Sequence, residues 1–356
     1  MCLEVIAMKR SRAGGLSWPQ IGLIALCSVL ALVLLAMIFA TAYANHFLSQ
    51  INYIPLDTTL SSEVIESIEQ ELTETIPPEY TGEVVNPTDV TLPTEGETTS
   101  TIIQHKDLVN FLLVGQDRRP GQGRQRSDTM IVVTINKRDH TITLTSFMRD
   151  LYVDIPGYKY NKMNAAYARG GFGMLCETLL TNFGITIDGC VEVDFDGFAA
   201  IVDLVGGVAI EVTAAEARDI NKSYGVNLKE GLNYMDGGLA LAYARNRNIG
   251  NDFGRTERQR KVLISIFEAS KDLSLTEMQN LLNSALPMIS TTMTPREITN
   301  YLVELFPYLA GASIQSLRIP ANGTYTDVMI SGIGASLLPD LEKNRELLRD
   351  TLLPNS

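Results

Sequence analysis

The chain has 356 residues, 45% of them hydrophobic and 20% charged, with four cysteines and a formal net charge of −12. That composition is ordinary for a globular protein of one large domain or two smaller ones, and no DNA-binding motif is visible, which excludes nucleic acid as a partner. The acidity is local: residues 51–100 hold eleven Asp and Glu and no Lys or Arg, residues 1–50 balance at +2, and −3 is left for residues 101–356, so the overall charge says little about the substrate.

Residues 21–44 form an uncharged, mostly apolar run, preceded by Lys9, Arg10 and Arg12 and followed by no basic residue until Lys106. A helix of about 24 residues rising ~1.5 Å each spans a ~30 Å hydrocarbon layer. The positive-inside rule then puts residues 1–20 in the cytoplasm, and Trp18 and Tyr43 flank the run as interfacial aromatics. The rival is a cleavable signal peptide ending near Ala44, but such apolar cores are shorter, ~7–15 residues. The expectation is a signal-anchor: a single-pass protein of the cell membrane, with its transmembrane helix uncleaved and everything after it outside. Cys2 and Cys27 belong to this end; Cys176 and Cys190 fall in the outer part, where disulfides persist. A bond between them is one expectation and two buried thiols the other.

Residues 45–106 read as a spacer. Val64, Ile65, Ile68 and Leu72 have helical spacing, and after them Pro77, Pro78, Pro87 and Pro93 among Thr and Glu suit an extended linker. From residue 107 the pattern is that of a folded α/β domain. Strands are expected at 109–114, 129–135 and 141–147, the last two joined as a hairpin by residues 136–140. A helix at 174–183, a strand at 190–195, a helix at 198–204 stopped by Gly206 and Gly207, and a strand at 208–212 follow. Helices come next at 237–244, 255–271, 276–286 and 295–306, then a late strand at 313–319 and a closing helix at 337–353. Strands mixed with helices predict an α-β-α sandwich around a mixed central sheet. Residues 107–272 form its main part and 273–356 a helical extension without a direct role.

Three histidines, His46, His105 and His140, occupy no position suited to a catalytic base. There is no phosphate-binding loop ending in Gly-Lys-Ser/Thr, no Gly-x-Ser-x-Gly elbow and no His-Glu-x-x-His. What remains are Arg and Asp at strand and helix ends: Asp117 and Arg119, Arg126 and Asp128, Arg149 and Asp150. A second cluster runs from Arg245 and Arg247 through Asp252 to Arg255, Arg258 and Gln259. The last three stand at i, i+3 and i+4 on one helix face, continued by the apolar Val262, Leu263 and Ile266. Four arginines at a helix N-terminus suit a multiply charged anion. Asp252 also reads as a helix N-cap. Guanidinium groups for a diphosphate and carboxylates for Mg²⁺ are what phosphoryl transfer requires. An apolar pocket cannot be derived from the pattern: Ile201, Leu204, Val205, Leu239 and Leu241 could line one, and core packing is the simpler reading for each.

The run from Phe111 to Arg119, then Arg126 to Met130, resembles the opening of the LytR-CpsA-Psr family. Ser146 to Asp150 looks like its central Arg-Asp motif, Asn161 to Tyr167 with Gly170 and Gly171 its next block, and 194–207 and 245–259 later ones. Gln116 stands where the family usually has Ser, and Met148 where Pro is common. The resemblance implies a Mg²⁺-dependent phosphotransferase. It would move an anionic glycopolymer, such as teichoic acid or capsule, from a polyprenyl pyrophosphate carrier to a muramic acid hydroxyl of peptidoglycan. It also implies roles. Asp117 and Asp128 would be the magnesium carboxylates, and Arg149, Arg245, Arg247 and Arg255 would contact the pyrophosphate. Asp252 and Gln259 would complete the polar shell, with Arg119, Arg126, Lys162 and Asn164 matching the motif. A lipid pyrophosphate hydrolase and a non-catalytic receptor for lipid-linked wall polymers are the competing readings.

Overall fold

A computed structural model describes residues 52–56, 65–66, 68, 70, 72–90, 102–116, 127–271, 273–309 and 311–354. Its strands are β1 (Asn52–Tyr53), β2 (Val84–Val85), β3 (Leu108–Gln116), β4 (Ser127–Asn136), β5 (Thr141–Phe147), β6 (Tyr152–Val153), β7 (Asn161–Lys162), β8 (Gly189–Asp194), β9 (Val208–Val212), β10 (Gly231–Met235), β11 (Ile289–Thr291), β12 (Ser313–Ile319), β13 (Tyr325–Ile330) and β14 (Gly334–Pro339). The α-helices referred to below are α1 (Met163–Phe183), α2 (Phe195–Leu204), α3 (Ala214–Tyr224), α4 (Gly237–Arg245), α5 (Asn251–Ser270), α6 (Leu275–Ala285), α7 (Pro295–Leu309) and α8 (Leu341–Leu352).

Seven strands form one sheet in the order β1-β11-β8-β3-β4-β5-β12. β3–β4 and β4–β5 are antiparallel while β3–β8 and β5–β12 are parallel, so the sheet is mixed as expected. Alternation along β3 and β4 serves both faces. Leu112, Val114, Met130 and Val132 pack with α1 and α8 on one side; Val109, Ile131, Val133 and Ile135 face α5 and α7 on the other. Both faces are therefore covered, and the strands read as nearly continuous apolar runs. A third core lies between β9, β10 and α2 to α5. There α4 approaches α2 so closely that a Cβ on Gly237 would collide with the Ala199 carbonyl. Gly237→Ala should therefore cost about 1–3 kcal/mol, read as a lowered midpoint in thermal unfolding.

One expected element is not found in the described structure. No helix among the described residues is long and apolar enough to cross a membrane. The two long helices fail for a physical reason: α1 carries Asn164, Arg169, Glu177, Thr178, Thr181 and Asn182, and α5 carries Asp252, Arg255, Glu257, Arg258, Arg260, Lys261 and Glu268. The expected span, residues 21–44, lies outside the described residues. The expected transmembrane helix, signal-anchor, membrane partner and single-pass location thus have no counterpart among the described residues.

Three further differences are local. Residues 72–90, within the expected spacer, lie against the domain: Leu72 is buried in the main core, and β2 pairs with β13. α1 begins well before residue 174, continuing through a kink at Gly171, whose φ of 62° favours glycine. In the C-terminal part, 334–339 is strand β14, paired with β13, and α8 starts only after the Asp340 cap.

Candidate active site

β3 and β5 run antiparallel to β4, so the end of β3, the start of β4 and the end of β5 meet at one edge of the sheet. A register shift at Gly115/Gln116 ends the β3–β4 ladder there. Asp128 is the second residue of β4, and Arg149 follows β5 after Met148. α5 delivers its first turn to the same place. Gly250, at φ 70°, is its N-cap, so Asp252 lies inside the helix and is not the cap.

The result is an ion cluster. Arg149 Nη1 donates to Asp128 Oδ1 at 2.7 Å, and Arg247 Nη2 to Asp128 Oδ2 at 3.2 Å. Arg255 Nη2 donates to the Asp128 carbonyl at 3.0 Å and to Asp252 Oδ2 at 3.0 Å. Arg149 Nε stands 3.6 Å from Asp252 and 3.5 Å from Asp150. Lys162, buried at β7, reaches Glu74 at 2.9 Å and Asp150 at 3.7 Å. Asn164 donates its backbone N–H to the Arg149 carbonyl at 3.2 Å, fixing the turn that presents the guanidinium. Burial raises the Asp128 carboxyl pKa, but Arg149, Arg255 and Arg247 outweigh it and hold the group below the ordinary carboxylate range. Burial lowers the Arg255 pKa, and its acidic neighbours do not fully offset that alongside Arg247 and Arg149. An anionic ligand would relieve this repulsion. Arg255 Nε, Arg149 Nε and Gln259 Oε1 are buried without a hydrogen-bond partner, so the cluster retains bonding capacity.

Arg245 and Arg247 diverge, because α4 ends at Arg245 and Asn246 turns the chain to an extended conformation. Arg245 lies with its guanidinium 4.0 Å over the Phe195 ring. With Gln259 it lines an apolar cavity of about 220 Å³ between the sheet and α2, α4 and α5. A second apolar cavity, about 330 Å³, shares the walls Leu113, Val191, Ile266 and Phe267 and runs on toward α6 and α7. Of the sequence candidates for such a lining, Ile201 and Leu241 are in it, whereas Leu204 is exposed and Leu239 packs against the third core.

Asp117, Arg119 and Arg126 lie outside the described residues. Arg258, whose spacing groups it with the anion-binding arginines, is engaged elsewhere, and Glu216 and Asp150 are partners to which the sequence assigns no role. Arg258 is buried, pairing with Glu216 at 3.3 Å and donating to the carbonyls of Ile249, at 3.0 Å, and Asn246, which ties down the loop bearing Arg247. The signal was legible as Thr213-x-x-Glu216, a capping box that opens α3. Asp150 was seen only as the neighbour of Arg149. The sulfurs of Cys176 and Cys190 lie 3.5 Å apart as free thiols, and that contact together with burial pushes the Cys176 pKa up.

The sequence profile of the LytR-CpsA-Psr family matches residues 79–345. The chain belongs to that family. It is 30% identical over 254 residues to regulatory protein MsrR of Staphylococcus aureus, covering 70% of this chain and 76% of that one. It is 38% identical over 185 residues to the polyisoprenyl-teichoic acid–peptidoglycan teichoic acid transferase TagU of Enterococcus faecalis, covering 50% and 58%. Among solved structures, Bacillus subtilis TagT superposes with a TM-score of 0.57 at 28% identity, over 74% of this chain and 98% of that one. TagT with bound octaprenyl pyrophosphate lipid gives 0.54 at 28%, over 69% and 91%.

Proposed function

We propose that this LytR-CpsA-Psr chain is a transferase that takes a glycopolymer from a polyprenyl pyrophosphate carrier and joins it to peptidoglycan through a phosphodiester. The observation that carries the reading is the junction of two environments. A cluster of buried and half-buried arginines adjoins an apolar cavity, as a diphosphate with a hydrocarbon tail requires. TagT, which binds a prenyl pyrophosphate lipid, has a similar fold.

In this reading Arg149, Arg247 and Arg255 hold the diphosphate by charge-assisted hydrogen bonds. Arg245 and Gln259 mark the passage from the diphosphate to the lipid. The acceptor hydroxyl attacks the sugar-bearing phosphorus, and the guanidinium groups stabilise charge building on its oxygens and on the departing lipid phosphate.

Magnesium is held through one or two carboxylates plus substrate phosphates. Among the described residues no group of three His, Cys, Asp or Glu is arranged to hold a metal alone. Asp128 fits as a ligand shared with the diphosphate, exchanging an oxygen now paired with Arg149 or Arg247; Asp117 is the expected second. When bound, the ion would neutralise phosphate charge.

The test is transfer from a synthetic prenyl-diphosphate oligosaccharide to a peptidoglycan oligomer, with product masses compared with and without acceptor. A phosphodiester-linked product is expected, whereas release to water alone with acceptor present would overturn the reading. Chelation should lower transfer at least about tenfold, with Mg²⁺ restoring it. Leu263→Trp, which fills the apolar cavity, should raise the donor Kd about tenfold with little effect on a donor lacking the prenyl chain.

A further inference from the structure

Displacement at phosphorus places the attacking and departing oxygens roughly in line. In the transferase reading, the departing oxygen belongs to a lipid phosphate whose chain fills the cavity behind Gln259 and Arg245. The attacking hydroxyl must then reach the cluster from another side. A cleft of about 320 Å³ opens there, its walls including Tyr80, Asp150, Asp252, Phe253, Asp327 and Leu337. Asp150 and Asp252 belong at once to this cleft and to the ion cluster around Arg149.

We propose that this cleft is the acceptor subsite, seating a peptidoglycan glycan strand with one hydroxyl presented between Asp150 and Asp252; the proposal rests on the transferase reading. A glycan offers hydroxyl donors and apolar C–H faces. Carboxylates accept from the first and aromatic rings cover the second. Asp327, Asp150 and Asp252 supply the acceptors. Phe253 supplies a ring held in place by Arg318, whose guanidinium lies 4.3 Å over it, and by Tyr325, with ring centroids 5.6 Å apart. Tyr80 adds a half-exposed ring to the same lining.

The wall is also fastened to the reacting groups. Leu337 of β14 donates its N–H to the Asp150 carbonyl at 2.8 Å, so the β13–β14 hairpin and Asp150 are coupled. The C-terminal extension thus shapes the site directly. In the step itself, the acceptor oxygen forms a bond to the sugar-bearing phosphorus. The bond from that phosphorus to the bridging oxygen breaks, and polyprenyl phosphate leaves with the electron pair. The hydroxyl proton passes to Asp150, which sits 3.5 and 3.7 Å from Arg149 and Lys162 and makes looser contacts than Asp128 or Asp252. Solvent then takes it.

The experiment compares the full chain with Asp327→Ala, Tyr80→Ala and the double variant, each checked by thermal unfolding. Initial rates use a prenyl-diphosphate disaccharide as donor and a peptidoglycan tetrasaccharide as acceptor; binding of the tetrasaccharide to donor-loaded protein is titrated separately. The expected result is an acceptor KM raised at least about tenfold in the double variant, with the donor Kd and acceptor-free donor hydrolysis within about twofold of the original, and Asp327→Asn intermediate. An unchanged acceptor KM, or an equal loss of donor affinity, overturns the subsite. If the original chain binds the tetrasaccharide and the variants do not, yet nothing is transferred, the cleft stands as a glycan site and the transferase reading fails instead. Absence of tetrasaccharide binding by the original chain overturns the subsite.

Discussion

Arg149→Ala is expected to lower kcat for transfer by about 10²–10³-fold, the range for loss of one preorganised donor at developing charge. Arg149 is the hub of the cluster, 2.7 Å from Asp128 and within 3.6 Å of both Asp150 and Asp252. Its removal takes away a phosphate donor and leaves Asp128 and Asp252 with less positive charge nearby, so donor affinity falls as well. Arg149→Lys restores the charge without the planar fork, and recovery should be partial. Single-turnover transfer, with thermal unfolding as a folding check, measures both. A kcat within threefold of the original would remove Arg149 from the chemistry. The pH dependence adds a second readout. Asp128 has its carboxyl held below the ordinary range, burial being outweighed by Arg149, Arg255 and Arg247. A carboxylate depressed by folding adds stability above its unfolded pKa, and that contribution is lost as pH falls through the folded one. With Arg149 gone the depression shrinks, so the stability lost on acidification should be smaller and its loss complete at a higher pH.

The parts of this site legible in the sequence are those whose placement follows from strand ends. Thr141–Phe147 was readable to the residue because its β-branched alternation is bounded by a turn and by Met148-Arg149-Asp150. Once β3, β4 and β5 are antiparallel neighbours, Asp128 and Arg149 must share an edge. Arg255 followed from helical spacing. The divergence of Arg245 from Arg247 depends on where α4 ends, which a two-residue spacing does not determine. Leu337, Leu338 and Leu341 suit either period, and the expected closing helix takes in Leu337. Pairing with β13 and the stop at Pro339-Asp340 decide for a strand. The cleft wall built by that hairpin was therefore invisible. The apolar cavity was equally hidden, since Ile201 beside space and Val202 in the core look alike as letters.

Arg258→Met should destabilise the fold by about 3 kcal/mol, because it strips the cationic partner from a buried carboxylate that keeps only its bonds from Thr213 and Tyr243. Arg258 is 2% exposed and Glu216 6%. The guanidinium also satisfies the carbonyl of Ile249 at 3.0 Å and that of Asn246, so its loss leaves these groups unbonded. A midpoint lowered by roughly 6–12 °C is the expected reading for a domain of this size. The double variant Arg258→Met/Glu216→Gln should lose less than Arg258→Met alone, since the amide can still serve the α3 capping box and no orphaned charge remains; losses that simply add would show that the pair is not coupled. The consequence for activity runs through the loop and not through phosphate. With Asn246 and Ile249 released, Arg247 samples more positions, and the donor Kd should rise before kcat falls. Acid has a related effect in the original chain. Burial raises the Glu216 pKa, but hydrogen bonds from Thr213, with Lys261 and Arg258, bring it below the ordinary carboxylate value. Its contribution is present above the unfolded pKa and fades as pH drops through the folded one, so Arg258→Met should be less sensitive to mild acid than the original chain.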